Sequence, residues 1–367
     1  MKLVYIVGFP IEGNSGKNKA TSEKARVLKN KLGKDNFIFL SPKSSKSIFS
    51  KIKNLLFFDF KVFFKFLFLS KEHFVVQRVL FLPLTSLILY LKGIKVITEF
   101  HADFKDEIPY LNKSRIQVFI LKAIVPFFNL NYRLSNGIIY NHPILKEKFD
   151  HVYKKPSIFS YNGANYKEFY PTNKELAKKE LGIGSQDMVF LFLGSVSQWH
   201  GVDYLIEIFN QEIIRKSSNI FLYIVGAKES TYSNELKLKS YNNNIKFIKP
   251  VTTDIARKYI NASEYCLLPV KQLRISPGSP LKLYDYIACG RPVIAQSNLR
   301  GYSDEVEDYN LGYTVDFTNA IESAHTIKNI SLIERNFELN NRKMAIETLS
   351  WEKRIQTWID FLNSLSN

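Results

Sequence analysis

The sequence predicts a doubly wound α/β fold built twice over, in two domains. Apolar runs of four to eight residues, among them KLVYIVG, FIFL, VFLFLG, IFLYIVG, YCLLPV and PVIAQ, alternate with helical patterns along the chain. Strands of a parallel sheet look like this, because helices cover both of its faces. The length, 367 residues, exceeds what one core commonly supports and divides into two at roughly 150 residues per domain. The alternation also restarts after SYNGANYKEFYPTNKE, a polar passage carrying Asn162, Gly163 and Pro171 of the kind that separates domains. The expected divisions are 1–165, 166–345 and a C-terminal helix over 346–367.

In the first domain, MKLVYIVGFP has one lysine and an apolar run too short for a secretory leader, and reads as the first strand. A helix over Ser22 to Leu32 and the strand FIFL follow. Next, NLLFFDFKVFFKFLFLSKE holds seven phenylalanines between Phe57 and Phe68. Asn54, Lys61, Lys65 and Glu72 give it a narrow polar stripe, which suits either a buried helix or one lying in a membrane interface. Lys43, Lys46, Lys51 and Lys53 upstream favour the interface. The window Leu55 to Leu69 is broken by Asp59, Lys61 and Lys65, and Val79 to Leu91 is too short to span a bilayer, so no transmembrane helix is expected. After the boundary, the second domain repeats strand and helix down to LSWEKRIQTWIDFLNSL. There Trp351, Ile355, Trp358, Ile359 and Leu362 fall at helical spacing, giving an apolar face that must dock.

Charge and cysteine content narrow the function classes. Residues 1–165 hold 27 Lys+Arg against 11 Asp+Glu, while the remaining 24 against 23 nearly cancel. A basic first half suits a polyanionic partner, nucleic acid or an anionic membrane surface, or is ordinary solvated lysine. Cys266 and Cys289, both in apolar contexts, exclude a disulfide framework and a four-cysteine zinc site, and fit a reducing, cytoplasmic setting. With no Asp-x-Asp motif and no histidine pair around a glutamate, no metal is predicted.

Two segments carry the candidate chemistry. In ISPGSPLKLYDYIACGRPVIAQ, Ser279 is placed to cap a helix whose first position is Pro280, running to about Cys289. The entry lies at the carboxyl edge of the sheet, where such folds take ligands and helix N-termini attract anions. Lys282 adds a cation, and Asp285, three residues on, can accept two hydrogen bonds from a ribose diol. A capped surface helix with an i,i+3 ion pair is the plain alternative. In VFLFLGSVSQWHGVDYLIEIF, Gly194 turns the chain after a strand so that loop amides can face an anion, or Trp199 and His200 merely pack the domain.

LGSVSQWHGVDYLIEIF and SPLKLYDYIACGRPVIA together resemble the two signature regions of family-4 glycosyltransferases of the GT-B fold. FVVQRV, LKGIKVITEFH, SYNGANYKEFYP, IVGAKE, DIARKYINASEYCLLP and LSWEKRI extend the resemblance over most of the chain. It implies two Rossmann-like domains facing across a cleft, with the C-terminal helix crossing back to the first. The implied activity is retaining transfer of a hexose-type sugar from a nucleotide diphosphate sugar to a glycan or polyprenyl-linked acceptor, without cofactor or metal. Surface polysaccharide assembly, such as O-antigen, capsule or lipopolysaccharide, is the implied setting. A cytoplasmic protein is expected, peripheral at the inner membrane face through its basic first domain, with no nucleic acid partner. An epimerase of nucleotide sugars on the same fold and a non-enzymatic basic binding protein are the alternatives.

Carried onto this sequence, the resemblance places Asp285 on the ribose. It lays Gly278, Ser279 and Leu281 along the diphosphate and sugar, and adds Gly194, Ser195, His200 and Gly226 to the donor site. His101, after a first-domain strand, takes the position near sugar and acceptor and is paired with Lys282 as catalytic. Gly13, Asn14, Ser15 and Gly16, in a loop without the lysine of a phosphate-binding P-loop, would close over donor or acceptor. Asp103, Asp106 and Glu107 orient an acceptor hydroxyl or form a solvated loop, and Arg78 is either core edge or acceptor-binding. The chain departs from the family pattern in two places: Pro277 stands where relatives carry a glutamate, and Ser195 and His200 stand where they carry phosphate-binding cations.

Overall fold

The computed structural model describes all residues except 14, 46, 79–81, 104–107, 109–113, 272–278, 334 and 367. The chain divides into two compact units, residues 1–162 with 351–367, and residues 163–350.

The first unit is a six-stranded parallel sheet with helices between its strands. Along the chain run β1 (Lys2–Val7), α1 (Gly16–Leu32), β2 (Phe37–Leu40), α2 (Ile48–Leu67), β3 (His73–Arg78) and α3 (Pro83–Lys92). Then come β4 (Lys95–Phe100), α4 (Arg115–Leu134), β5 (Gly137–Tyr140), α5 (Pro143–Tyr153) and β6 (Ser157–Phe159). The sheet order is β2-β1-β3-β4-β5-β6, with Val4 beside Val75 and Val76 beside Ile97. Strand order therefore reverses at β1 and β3, and the carboxyl ends of those strands open a crevice. The C-terminal helix, Trp351–Ser364, belongs to this unit: Trp358 meets Tyr5 edge-on at 6.2 Å, and a Cβ on Gly137 would stand 3.0 Å from the Phe361 ring.

In the phenylalanine-rich helix α2, Val62 and Phe66 turn inward onto β1 and β3, but most of its other aromatic residues face outward. The polar stripe expected through Glu72 does not form, because the helix stops at Leu67 and Glu72 sits in the turn before β3. Asp59, which breaks the apolar run in sequence, is buried and accepts from the Leu84 and Thr85 amides at 3.0 and 2.9 Å. It thus caps α3, whose own N-cap, Leu82, offers no side-chain acceptor. In return Lys92, at the end of α3, donates to the carbonyls of Phe66, Leu67 and Leu69 where α2 ends. Each helix ties off the other's orphaned backbone groups.

The second unit contains α6 (Lys174–Glu180), β7 (Met188–Leu193), α7 (Val202–Phe209), α8 (Glu212–Arg215), β8 (Ile220–Val225), α9 (Thr231–Lys239) and β9 (Ile245–Ile248). It continues through α10 (Thr253–Ala262), β10 (Tyr265–Leu268), α11 (Leu281–Ala288), β11 (Val293–Gln296), α12 (Asp304–Asp308), β12 (Gly312–Val315), α13 (Ala320–Ile330) and α14 (Glu338–Glu347). Its parallel order, β12-β11-β10-β7-β8-β9, is the nucleotide-binding pattern 3-2-1-4-5-6 read from the far edge. β7 and β10 flank the reversal and pair through Tyr265 beside Phe190. Phe190, Leu222, Leu267 and Ile294 lie in a core whose members are at most 8% exposed.

Candidate functional site

In the second unit the site grows from two glycines. Gly194 ends β7 at φ 142° and Gly226 ends β8 at φ 108°, both in the region that side chains avoid. The strands are so close here that a Cβ on Gly226 would stand 2.4 Å from the Gly194 carbonyl oxygen, and one on Gly194 would stand 3.2 Å from Lys282 Nζ. The space a side chain on Gly194 would take is bordered by the Lys282 ammonium.

Lys282 reaches that point from the first turn of α11, which is fastened to β7 by the Leu193 amide donating to the Tyr286 hydroxyl at 2.9 Å. Its Nζ lies over the Phe192 ring, 4.1 Å from the centroid, where the ring's negative face attracts a cation. The residue as a whole is partly exposed, and its ammonium lies against the Phe192 ring and Gly194. Burial pulls its pKa from the ordinary lysine range to about 7. No ion pair or hydrogen bond forms on this Nζ among the described residues. A desolvated cation with no anion among the described residues, at the carboxyl edge where strand order reverses, has the chemistry that suits an anionic ligand.

The remaining loops close around β7 and β10. Gly201, at φ 64°, packs against Pro269 and the Val270 amide, and the Lys271 amide donates to the Trp199 carbonyl at 3.0 Å. His200 shares a 2.7 Å hydrogen bond with the Ser197 hydroxyl, and Ser195 is exposed. Lys271 is neutralised by Asp203. Leu281 and Asp285 are both partly exposed on the first turns of α11.

The expected helix entry differs in one respect. Pro280, not Ser279, is the cap residue, and no side chain caps α11. Ser279 instead donates to the Tyr284 hydroxyl at 2.9 Å, because that hydroxyl gives its own proton to Glu305 at 2.5 Å. All three are buried, so Tyr284 ties α11 to α12 and the serine hydroxyl is taken up by Tyr284. Gly278 and Pro277 lie outside the described residues.

The first unit holds a second constellation, at the ends of β1, β3 and β4. Lys24 Nζ meets Glu99 Oε2 at 2.5 Å, His101 Nε2 meets the same oxygen at 2.6 Å, and Arg78 reaches His101 Nδ1 at 3.3 Å and the Thr21 hydroxyl at 2.6 Å. Lys24, Glu99 and Arg78 are at most 5% exposed. Burial, with Arg78 and Lys24 behind it, pushes the His101 pKa down to about 3. The imidazole is therefore neutral, Nε2 donates to the carboxylate and Nδ1 accepts from the guanidinium. Burial alone would raise Glu99, but Lys24, His101 and Arg78 hold its carboxyl well below the usual range. With both ring nitrogens engaged, His101 is held in place by this network. Lys17, over the Phe9 ring at 3.8 Å, is lowered by burial and then by Arg78, so cations outnumber the one carboxylate here.

Of the loop residues, Gly13 is left-handed at φ 95°, Ser15 caps α1 by accepting from the Asn18 amide, and Gly16 begins the helix. Asn14 lies outside the described residues, as do Asp106 and Glu107. Asp103 pairs with Lys148 at 3.0 Å. Glu99 and Lys24 were not anticipated as site residues. The signal was there: Glu99 and His101 alternate onto one face of a strand, and positions 17, 21 and 24 share one face of a helix. Among the described residues no group of three metal-ligating side chains assembles.

These sites and sheets define a class. Over the whole chain the structure is similar to sucrose-phosphate synthase from Thermosynechococcus elongatus at a TM-score of 0.71 and 13% identity, covering 100% of this chain and 99% of that one. HepE of Anabaena, solved with UDP and glucose, gives 0.69 and 15%, covering 99% and 100%. WaaG, a glycosyltransferase involved in lipopolysaccharide biosynthesis, gives 0.67 and 15%, covering 97% and 98%. The fold is thus GT-B, two Rossmann-like domains. Residues 187–331, which carry Gly194, Gly226 and Lys282, match the family described as Glycosyl transferases group 1, and the protein is a glycosyltransferase. No curated protein sequence matches the chain.

Proposed function

We propose that the protein transfers a hexose-type sugar, with retention, from a nucleotide diphosphate sugar to a glycan or polyprenyl-linked acceptor in the assembly of a surface polysaccharide. The observation that carries the donor assignment is Lys282: its ammonium stands against the strand-end Gly194 with no anion among the described residues. A diphosphate supplies the missing charge. As the sugar leaves, negative charge grows on the phosphates, and a fixed cation in a low-dielectric site stabilises it more than it stabilises the ground state. Asp285, partly exposed on the same helix, takes the ribose hydroxyls. The UDP and glucose bound by HepE support a nucleotide sugar as donor, and the role of WaaG supports a glycolipid or polysaccharide product.

A thermal-shift panel of nucleoside diphosphates and their sugars tests the reading. A ligand at a hundred times its Kd adds about 2.7 kcal/mol to stability. One nucleotide is expected to stand out, Asp285→Ala to weaken its shift, and Lys282→Ala to lower turnover more than nucleotide binding. Unchanged kinetics in both variants removes the assignment.

A further inference from the structure

We propose that the outer face of α2 docks the protein on an anionic lipid bilayer, lying in the headgroup layer. Phe49, Ile52, Leu56, Phe60, Phe64 and Leu67 recur at steps of three and four residues, which places them along one side of the helix. All are exposed, Phe49 at 81% and Phe60 at 54%. Phe57 (69%) and Phe68 (89%) widen the stripe, and α3 alongside exposes Leu87 and Leu91. A water-facing surface with this many large apolar side chains on adjacent helices is a docking face.

The charges choose the occupant. From Lys43 to Lys71 the sequence holds seven lysines and one acid, Asp59. That acid is buried and spent on capping α3, and Glu72, just beyond the segment, pairs with Lys2 at 3.3 Å, so the lysines of α2 keep a net positive face. Lys51, Lys53, Lys61 and Lys65 are exposed on α2 itself. Phenylalanines in the acyl boundary with lysines at headgroup level fit an anionic membrane surface. No described helix is long and apolar enough to cross a membrane. The reciprocal caps, Asp59 on α3 and Lys92 on α2, hold the two helices as one plate, so little order need be lost on landing.

The test is co-sedimentation of the full chain with vesicles of phosphatidylcholine alone and with added phosphatidylglycerol, at low and high salt. The wild type is expected to bind the anionic vesicles and to weaken as salt rises, since each lysine near such a surface is worth about fivefold in partition. Phe49→Ser, Phe57→Ser and Phe60→Ser combined should lower binding at least about tenfold, with the melting temperature and any nucleotide-induced shift retained. Lys61→Glu with Lys65→Glu should remove the preference for the anionic lipid while leaving the aromatic residues in place. No wild-type binding, equal binding to both vesicle types, or binding unmoved by the serine variant overturns the proposal. So does a wild-type dimer that the serine variant dissolves, which would make a second copy the occupant. Loss of donor binding would bear on the enzyme assignment and leave the vesicle result standing.

Discussion

At the residue scale, an ammonium enclosed without a carboxylate costs folding free energy, and pH exposes the cost at Lys282. The unfolded chain keeps that proton to above pH 10, whereas the folded protein gives it up near 7. Between those values the unfolded state binds more protons, so stability rises with pH, and the penalty is present in full below about 7. Lys282→Met is expected to raise the melting temperature at pH 6.5, by about 2–4 °C for each kcal/mol removed. It should also flatten the dependence from pH 7 to 10 and reduce stabilisation by diphosphate, by less than it reduces turnover. In the wild type, diphosphate affinity should fall by up to about tenfold per pH unit above 7, read by calorimetry. Flat affinity from pH 6 to 9 would mean that Lys282 is not the phosphate cation.

His101 and Glu99 work in the opposite direction. Both have folded pKa values below the unfolded ones, so both favour folding at neutral pH and lose that contribution as protons are added. Because the unfolded histidine begins to protonate near pH 6.5, the first unit should weaken from about pH 6 downward and more steeply below 4.5. Urea unfolding between pH 7 and 4 measures this, and His101→Gln should remove the upper part of the slope. This network was poorly legible in the sequence: Lys24 and Glu99 are 75 positions apart, and nothing local announces that the fold brings them together. Lys282 was legible, because its position follows from a helix-entry pattern a few residues long.

At the scale of elements, the strand-to-loop turns are the most constrained backbone in the second unit. A methyl on Gly226 has nowhere to go, since its nearest neighbour is the Gly194 carbonyl at 2.4 Å and its φ is 108°. Gly226→Ala is therefore expected to destabilise by more than the roughly 1 kcal/mol of an ordinary glycine change and to spoil diphosphate binding along with it, measured by thermal shift. An unperturbed variant would show that β7 and β8 are not held this closely. The start of α11 shows where local rules lose to tertiary ones. Ser-Pro predicts a serine cap, but the Tyr284 hydroxyl, having given its proton to Glu305, is the acceptor the serine finds. The phenylalanine-rich helix was legible as amphipathic, but not which side is wet, since its composition admits both a buried and an interfacial placement.

At the scale of the whole molecule, the class of fold was legible because buried parallel strands are written as unbroken apolar runs such as VFLFL and IFLYIV. Strand order was not, because it is set by which way each crossover turns. The two sheets differ there: the first reverses between β1 and β3, the second between β7 and β10. Each reversal gathers a distinct set of charges, a buried paired network in one unit and, in the other, Lys282, which has no ion pair among the described residues.

The first unit is assembled from both ends of the sequence, and this bears on its birth. Tyr5, in the opening strand, leans on Trp358, some 350 residues later in synthesis. At about 5–20 residues per second the ribosome takes tens of seconds to make the span between them. The second unit, contiguous in sequence, has all of its residues out of the ribosome soon after Ser350. The first unit thus starts before the second and is completed after it, and until then Tyr5 lacks its Trp358 neighbour.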